Sequence, residues 1–297
     1  MTEFKLKSRG RHIKGLKDTV SVGSNDKKIE SIFKEVSKAT KLPENRLRLL
    51  VNERILKKEE DINSIYDEEY IIVKDLGPQI GWKTVFLAEY LGPLCIHPLV
   101  YKSRFIQGLL YGNIVKHSYN QRIIFVLIVL HYVKRELETL LVHRFSMNTM
   151  PRMNLFKNCF HYWVLGGINM AYWMYGPWFS YIYESKIILT SYVILWMFSE
   201  YANLKTHLIL RNLRPKKTTV RQIPKGFGFD LVSCPNYFFE YISWLVIACL
   251  SHSLSSWIFL TVSGIQMWLW ALKKHSRYIK EFSDYPKHRK VMFPYIL

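Results

Sequence analysis

The sequence predicts a multi-pass α-helical membrane protein with about six transmembrane helices, preceded by a small α+β domain. Hydrophobic residues make up 49% of the 297-residue chain and aromatic residues 15%, which excludes a disordered basic protein. Residues 1–77 hold 17 basic and 14 acidic residues, whereas residues 78–297 hold 25 and 9. In this second part the basic residues cluster between long apolar segments, as they do in membrane proteins.

Residues 1–77 carry the pattern of a small α+β domain. FKLKSRG and KDTVSVG are typical of short strands joined by a basic turn. Ile29, Ile32, Phe33 and Val36 have the spacing of one helix face. LRLLV and the segment from Tyr70 to Val73 supply two more strands. The order ββαββ resembles a ubiquitin-like fold, which we interpret as a folded appendage suited to docking partners.

Residues 78–297 contain six segments apolar enough to be candidate spans. A span requires roughly 20 mostly apolar residues, and several of these segments are shorter or carry polar groups. Nine Trp and nineteen Tyr, many near segment ends, fit an interfacial aromatic belt. The predicted spans cover about 85–101, 123–142, 160–183, 187–204, 241–254 and 257–272.

The distribution of basic residues predicts the orientation of these spans. Basic clusters lie at 102–104, 211–225 and 273–290, and the last two are the strongest. The positive-inside rule places both on the cytoplasmic side. The first twenty residues lack the apolar core of a secretory signal, so the amino-terminal domain is expected there too. Both termini on one side require an even number of spans, and we predict six.

Four polar groups interrupt the apolar segments. They are Glu89, the group from His131 to Glu138, the pair Glu200 and Asn203, and the group from Asn236 to Glu240. Charges in lipid are costly and usually mark a cavity or a site. Each group taken alone has a simpler explanation: Lys134 and Glu138 could form an ion pair within one helix, and the Glu89 side chain could reach the membrane interface. Together the four groups favour a shared intramembrane site.

Several other kinds of site find no support in the sequence. The ten His do not form the dense histidine boxes of a membrane oxygenase, so we expect no metal. The four Cys form no close pair. There is no GxSxG motif, and GFGF at 226–229 is weak evidence for a dinucleotide-binding turn.

The basic loop after the fourth predicted span is a candidate phosphate site. His207, Arg211 and Arg214 have helical spacing at a helix end. Guanidinium groups bind phosphates through paired hydrogen bonds, and both dinucleotides and acyl-CoA carry several phosphate charges. The alternative is a cytoplasmic flank without a ligand. Nucleic acid is a poor third interpretation, because the chain is membrane-embedded and lacks a binding motif.

Several motifs resemble one known family. EYLGPL, HYVKRELETLLVHRFS, LVSCPNYFFE and FSDYPKHRK are similar to segments of the very-long-chain trans-2-enoyl-CoA reductases of the steroid 5-alpha-reductase superfamily. The resemblance runs over nearly the whole chain. It implies that hydride from NADPH is added to the β-carbon of a trans-2-enoyl-CoA and a proton to its α-carbon, as the last step of fatty-acid elongation in the endoplasmic reticulum.

The resemblance also implies roles for particular residues. The Tyr of its PNY motif, Tyr237, would be the acid, supported by Lys134 and Glu89. Departures from the superfamily pattern are His207, where steroid reductases have Asp, and Gln222, where they have Arg. The residues implied in NADPH binding are Asn203, Arg211, Arg214, Asn236, Glu240 and Tyr278.

The implied chemistry suits these residue types. Hydride addition places negative charge on the thioester oxygen, and a hydroxyl donor aimed at that oxygen lowers the barrier. A nearby Lys134 cation would stabilise the tyrosinate form of Tyr237. The implied partners are acyl-CoA, membrane lipid and other elongation enzymes: the elongase, the ketoacyl-CoA reductase and the hydroxyacyl-CoA dehydratase. Alternatives are a membrane methyltransferase of the isoprenylcysteine carboxyl type and an inactive scaffold of the elongation complex.

Overall fold

The computed structural model describes residues 2–10, 12–23, 26–145, 148–179, 185–213 and 222–296. It divides into two compact units. The first comprises Met1–Trp82 and Met147–Asn154, and the second comprises Lys83–Ser146 and Leu155–Leu297. The domain boundary predicted from the sequence lies after residue 77. The first unit extends further because β6 (Gln79–Gly81) pairs antiparallel with β7 (Thr149–Pro151).

The first unit is built on a five-stranded mixed sheet and one helix. The elements are β1 (Thr2–Ser8), β2 (Thr19–Val22), α1 (Glu30–Thr40), β3 (Leu47–Val51), β4 (Arg54–Ile55) and β5 (Ile71–Asp75). In the sheet order β2-β1-β5-β3-β4, β1 and β5 are parallel and the other neighbours antiparallel. The predicted order ββαββ is present, with a further two-residue strand that is too short to leave a pattern in the sequence. The likeness to ubiquitin remains a prediction.

The spacing of apolar residues in the helix and strands explains how this unit forms a buried core. Ile32, Phe33 and Val36 are buried on one face of α1, as the sequence predicts. They pack into one core with strand residues such as Leu49 and Val73, each completely buried. The amphipathic helix therefore covers one face of the sheet, which gives the unit its own hydrophobic core.

The second unit is helical over most of its described length. Two of its segments are π-helices, Glu138–Val142 and Phe160–Asn169. The first directly follows the helix that ends at Leu137, and the second lies between a helix that ends at Cys159 and one that begins at Met170. The α-helices are α2 (Trp82–Lys102), α3 (Arg104–Tyr111), α4 (Tyr119–Leu137), α5 (Met153–Cys159), α6 (Met170–Tyr175), α7 (Lys186–Asn212), α8 (Pro235–Ser251) and α9 (Leu254–Glu281).

Among the described helices, α2 and α7 are long and apolar enough to cross a membrane. Each of the six predicted spans falls mostly on helical structure, but residues 176–179 of the third and 252–253 of the fifth are not helical. Residues 180–183 of the third span lie outside the described residues. The number of crossings is therefore still a prediction. The second unit also has a large buried core that includes Tyr132, Trp244 and Phe259.

Helices α4 and α7 run parallel to each other in a fixed register. His131 contacts Glu200, Lys134 contacts Asn203, and Glu138 contacts His207, always with a separation of 69 residues. Helix α8 packs beside both, and the Asn203 side chain donates to the carbonyl of Asn236 at 2.8 Å. These three helices position the candidate site.

Candidate active site

One face of α4 carries the polar side chains that the sequence singled out. Lys134, Arg135 and Glu138 follow His131 by three, four and seven residues, so they lie on the same side of the helix as His131. The side chains of His131 and Glu138 are each only 2% exposed. A buried charged group requires hydrogen-bonding or oppositely charged partners, and side chains of α7 and α8 supply them.

The Lys134 ammonium lies between two side chains of α7. Its Nζ donates to Asn203 Oδ1 at 2.5 Å and lies 2.9 Å from Glu200 Oε2. The other carboxylate oxygen of Glu200 is 2.7 Å from His131 Nδ1. One carboxylate therefore connects the two α4 side chains that stand one turn apart.

Glu138 is the second buried carboxylate of this cluster, after Glu200. Its Oε2 accepts from Arg135 at 3.0 Å, and its Oε1 lies 3.0 Å from His207 Nδ1 and 3.6 Å from Lys134 Nζ. Glu138 begins the π-helix in which the amide of His143 bonds to the Glu138 carbonyl at 2.8 Å. The wider π turn thus starts at a residue of the site, as π-bulges often do.

Helix α8 adds Asn236 and Glu240, which are four residues apart on one face. Glu240 Oε1 lies 3.4 Å from His131 Nε2 and 3.9 Å from Arg135 Nε. The buried Oδ1 of Asn236 has no hydrogen bond to any described residue. A buried amide oxygen without a donor is costly, so the position suits a ligand that donates a hydrogen bond.

The ring contacts of Tyr237 with Lys274 and Trp270 lie on the side of α9. Tyr237 follows Asn236 by one residue, a rotation of about 100° on a helix, and faces α9. The ammonium of Lys274 lies 5.6 Å from the centre of its ring, and the Trp270 ring lies at 6.3 Å. The cation that the structure places at Tyr237 is thus Lys274, whereas Lys134 is engaged with Glu200 and Asn203.

Glu89 lies on α2 and is 1% exposed. Its carboxylate accepts from Asn158 Nδ2 at 2.9 Å. The neighbouring residue, Tyr90, has its hydroxyl 2.7 Å from a guanidinium nitrogen of Arg135. Glu89 therefore reaches the α4 cluster through its neighbour and not through a direct bond.

The remaining predicted cofactor residues lie nearer the carboxyl ends of α7 and α9. The Arg211 carbonyl accepts from Arg144 at 3.3 Å. Tyr278 is buried and its ring stacks on Tyr285 at 5.5 Å. Gln222 is exposed, and Arg214 lies outside the described residues.

The structure therefore joins Lys134, Asn203, Asn236 and Glu240 and leaves Tyr237 and Glu89 in adjoining surroundings. Sequence reasoning missed Asn158 and Lys274. Asn158 stands alone before an apolar segment, and Lys274 is one of many cations in the carboxyl-terminal basic cluster. Neither position carries a pattern that distinguishes it from a helix flank.

Glu138, His143 and His207 offer ligand atoms within 4.8 Å of one another, a spacing that would suit a metal ion. The chemistry of the donors is less suitable. Glu138 already bonds to Arg135 and His207, and Lys134 is close. A divalent cation would add charge beside two cations and displace existing bonds, so we assign no metal here.

Comparison with known proteins identifies relatives along the whole chain. The sequence profile described as 3-oxo-5-alpha-steroid 4-dehydrogenase matches residues 148–297. A Schizosaccharomyces pombe protein named as a candidate enoyl reductase is 47% identical over 98% of this chain and 99% of its own length. The very-long-chain enoyl-CoA reductase of Dictyostelium discoideum is 40% identical over 92% of this chain and 93% of its own. A mouse protein named trans-2,3-enoyl-CoA reductase-like is 35% identical over 75% of this chain and 63% of its own.

Proposed function

The chain belongs to the family described as 3-oxo-5-alpha-steroid 4-dehydrogenase, and we propose that within it the protein is an oxidoreductase that reduces trans-2-enoyl-CoA to saturated acyl-CoA in fatty-acid elongation. The observation that carries this proposal is the buried cluster in which α4, α7 and α8 bring Lys134, Asn203, Asn236 and Glu240 together. Relatives of nearly full length bear the name of this reaction.

NADPH is the proposed cofactor, and the buried polar side chains of α4, α7 and α8 suit it. We call this group the polar cluster; its members are His131, Lys134, Arg135, Glu138, Glu200, Asn203, His207, Asn236 and Glu240. Asn236 would bind one of its polar groups, since the Asn236 Oδ1 lacks a donor among the described residues. Asn203 would complete this part of the site through its hydrogen bond to the Asn236 carbonyl. Glu240 would accept from hydroxyl or amide groups, and Arg211 and Arg214 would bind phosphate. When bound, NADPH supplies the hydride.

The chain's own residues would donate a proton and stabilise the charge that develops in the reaction. We assign the proton donated to the α-carbon to the hydroxyl of Tyr237. The neighbouring Lys274 ammonium, 5.6 Å from the ring centre, stabilises the charge left on the phenolate oxygen. Lys134 orients Asn203 and Glu200 on α7, and Glu89 supports the site from α2.

The arrangement also suggests where the reaction takes place. The apolar helices would embed the acyl chain in the endoplasmic reticulum membrane, with coenzyme A and both termini on the cytoplasmic side. The proposed topology has six spans. The amino-terminal unit, proposed to be ubiquitin-like, would contact the elongase, the ketoacyl-CoA reductase or the hydroxyacyl-CoA dehydratase.

The test of the activity is single-turnover oxidation of NADPH by the purified protein with a series of trans-2-enoyl-CoA chain lengths, with NADH in parallel. Product must appear as the saturated acyl-CoA in equal amount to the NADPH consumed. A folded protein that oxidises neither cofactor with any chain length would overturn the proposed reaction.

The test of the acid compares Tyr237→Phe with Tyr241→Phe. Loss of general-acid catalysis is expected to slow the reaction by about 10²- to 10⁴-fold. Tyr241 lies one turn further along α8, and its ring packs on Phe293 at 5.4 Å, so Tyr241→Phe is expected to retain activity. Full activity of Tyr237→Phe would remove Tyr237 as the acid and leave the reaction itself unaffected.

A further inference from the structure

An apolar groove lies between the first turns of α4 and α7, away from the polar cluster. Its walls are formed by Ile123, Val126 and Leu127 on α4 and by Leu189 and Val193 on α7, and its volume is about 440 Å³. Of these residues, Leu127 and Leu189 are buried. Ligand pockets usually measure roughly 300–1,000 Å³, so the groove is large enough for part of a lipid.

The rim of the groove is cationic. Arg122 of α4 and Lys186 of α7 line it, together with Tyr119 and Thr190, and all four residues are exposed. Both cations belong to the first turns of their helices, and the apolar walls continue toward the middle of the helices. The groove thus has hydrogen-bond donors at one end and an apolar path beyond them.

The groove is separate from the candidate active site. Because α4 and α7 run parallel, the distance along them follows from the helical rise of about 1.5 Å per residue. From Arg122 to His131 this rise gives roughly 14 Å, and from Lys186 to Glu200 roughly 21 Å. An occupant of the rim therefore lies about 15–20 Å from the polar cluster along the helix axes.

We propose that this groove binds an anionic phospholipid, with its phosphate between Arg122 and Lys186 and one acyl chain along the apolar walls. Charge complementarity favours this occupant, since two cations and two hydroxyl groups surround the rim. The tail of an acyl substrate fits less well, because its methyl end would meet the two cations. In the proposed six-span topology, Arg122 and Lys186 lie opposite the cytoplasmic basic segments, where few cations are expected.

The test measures lipid bound to the purified full-length protein by native mass spectrometry. Phosphatidylglycerol and phosphatidylcholine with identical acyl chains are compared, with glycerol 3-phosphate as a competitor that carries the phosphate alone. We expect one phosphatidylglycerol to be retained in preference to phosphatidylcholine and resistant to the competitor. Each cation near a membrane surface contributes about fivefold to anion binding, so Arg122→Gln with Lys186→Gln is expected to lose about 25-fold.

Three further variants make the test specific. Lys102→Gln with Arg104→Gln removes two other exposed cations and is expected to bind as the wild type does. Arg122→Lys with Lys186→Arg keeps both charges and is expected to keep binding, which separates loss of charge from loss of fold. Val126→Phe fills the groove and is expected to weaken binding with both cations present. The proposal would be overturned if the protein retained both lipids equally, or if glycerol 3-phosphate displaced the bound phosphatidylglycerol. It would also be overturned if Lys102→Gln with Arg104→Gln lost as much binding as Arg122→Gln with Lys186→Gln, or if Val126→Phe bound the lipid fully.

Discussion

Glu138 is the buried carboxylate that contacts both Arg135 and Lys134. Arg135, His207 and Lys134 all lie within 3.6 Å of its two oxygens. Its side chain is 2% exposed, so water cannot replace this carboxylate. Breaking a buried ion pair by removing one partner is strongly destabilising, because the other charge stays buried without compensation.

The substitution Glu138→Gln is therefore expected to destabilise the second unit. The free energy of unfolding should fall by about 3 kcal/mol, as measured by reversible unfolding in mixed micelles. Glu136→Gln is the matched control on the same helix, since Glu136 Oε1 has no hydrogen bond to any described residue. A loss of equal size in both variants would contradict the assignment of Glu138 as the counter-charge.

A second carboxylate predicts a pH dependence for the first unit. Arg46 donates to both oxygens of Asp75, at 3.0 and 2.5 Å. These hydrogen bonds hold the pKa of Asp75 below its usual value. A lowered folded-state pKa stabilises the protein fully above the unfolded pKa of about 4, and this contribution is lost as the pH falls through the folded value.

The first unit is thus expected to be equally stable at neutral and mildly acidic pH and to lose about 1 kcal/mol below about pH 4. Hydrogen exchange of peptides from residues 26–75 in the full chain, corrected for the intrinsic rate, measures this loss. Asp75→Asn should reduce the dependence and the exposed Asp67→Asn should preserve it. An unchanged pH dependence in Asp75→Asn would contradict the role of this pair.

At the scale of single residues, spacing alone predicted part of the site. Lys134 and Glu138 are four residues apart, and the structure places their charged atoms 3.6 Å apart. The partners from α7 could not be predicted, because the 69-residue separation depends on how two helices pack. For Tyr237, the sequence shows a motif but not which face of α8 meets α9.

At the scale of elements, one glycine allows α2 to pack closely against the π-helix Phe160–Asn169. A Cβ atom at Gly92 would lie 2.0 Å from the Trp163 ring, and the Trp163 indole donates to the Ala88 carbonyl at 2.9 Å. Substitution by Ala would force the indole away from this hydrogen bond. Overpacking of this kind costs about 1–3 kcal/mol.

Gly92→Ala is therefore expected to lower the unfolding temperature of the purified protein in detergent. Gly108→Ala is the matched control, since a Cβ there meets nothing within 4 Å and Ala favours a helix over Gly. The control should be neutral or slightly stabilised. Equal behaviour of the two variants would show that Trp163 can move without cost.

The sequence does not predict that the two π-helices differ from α-helices. FHYWVLGGIN is apolar on almost every side, so its periodicity cannot distinguish a π-helix from an α-helix. The residues of the first unit were easier to predict, because one face of each element is polar and the pattern repeats. The helical second unit was predicted as a class, whereas its local geometry follows from side-chain packing such as that of Trp163.

At the scale of the whole molecule, the parallel register of α4 and α7 constrains the topology. Two parallel helices that both cross a membrane need a returning segment between them. Residues 153–175 are helical between α4 and α7 and fall there. The register thus supports the proposed six-span order, in which the amino ends of α4 and α7 face away from the cytoplasm.

This topology predicts which positions a membrane-impermeant thiol reagent reaches. Single cysteines replace Lys14, Lys116 or Lys280, all exposed, in a chain whose four native cysteines have been replaced. In sealed microsomes, whose outer face is cytoplasmic, Lys14→Cys and Lys280→Cys should react at once, because the proposed topology has the amino-terminal unit and the end of α9 on that side. Lys116→Cys precedes α4 and should react only after detergent opens the vesicles. Immediate reaction of Lys116→Cys together with Lys280→Cys would mean that α4 does not cross the membrane as proposed.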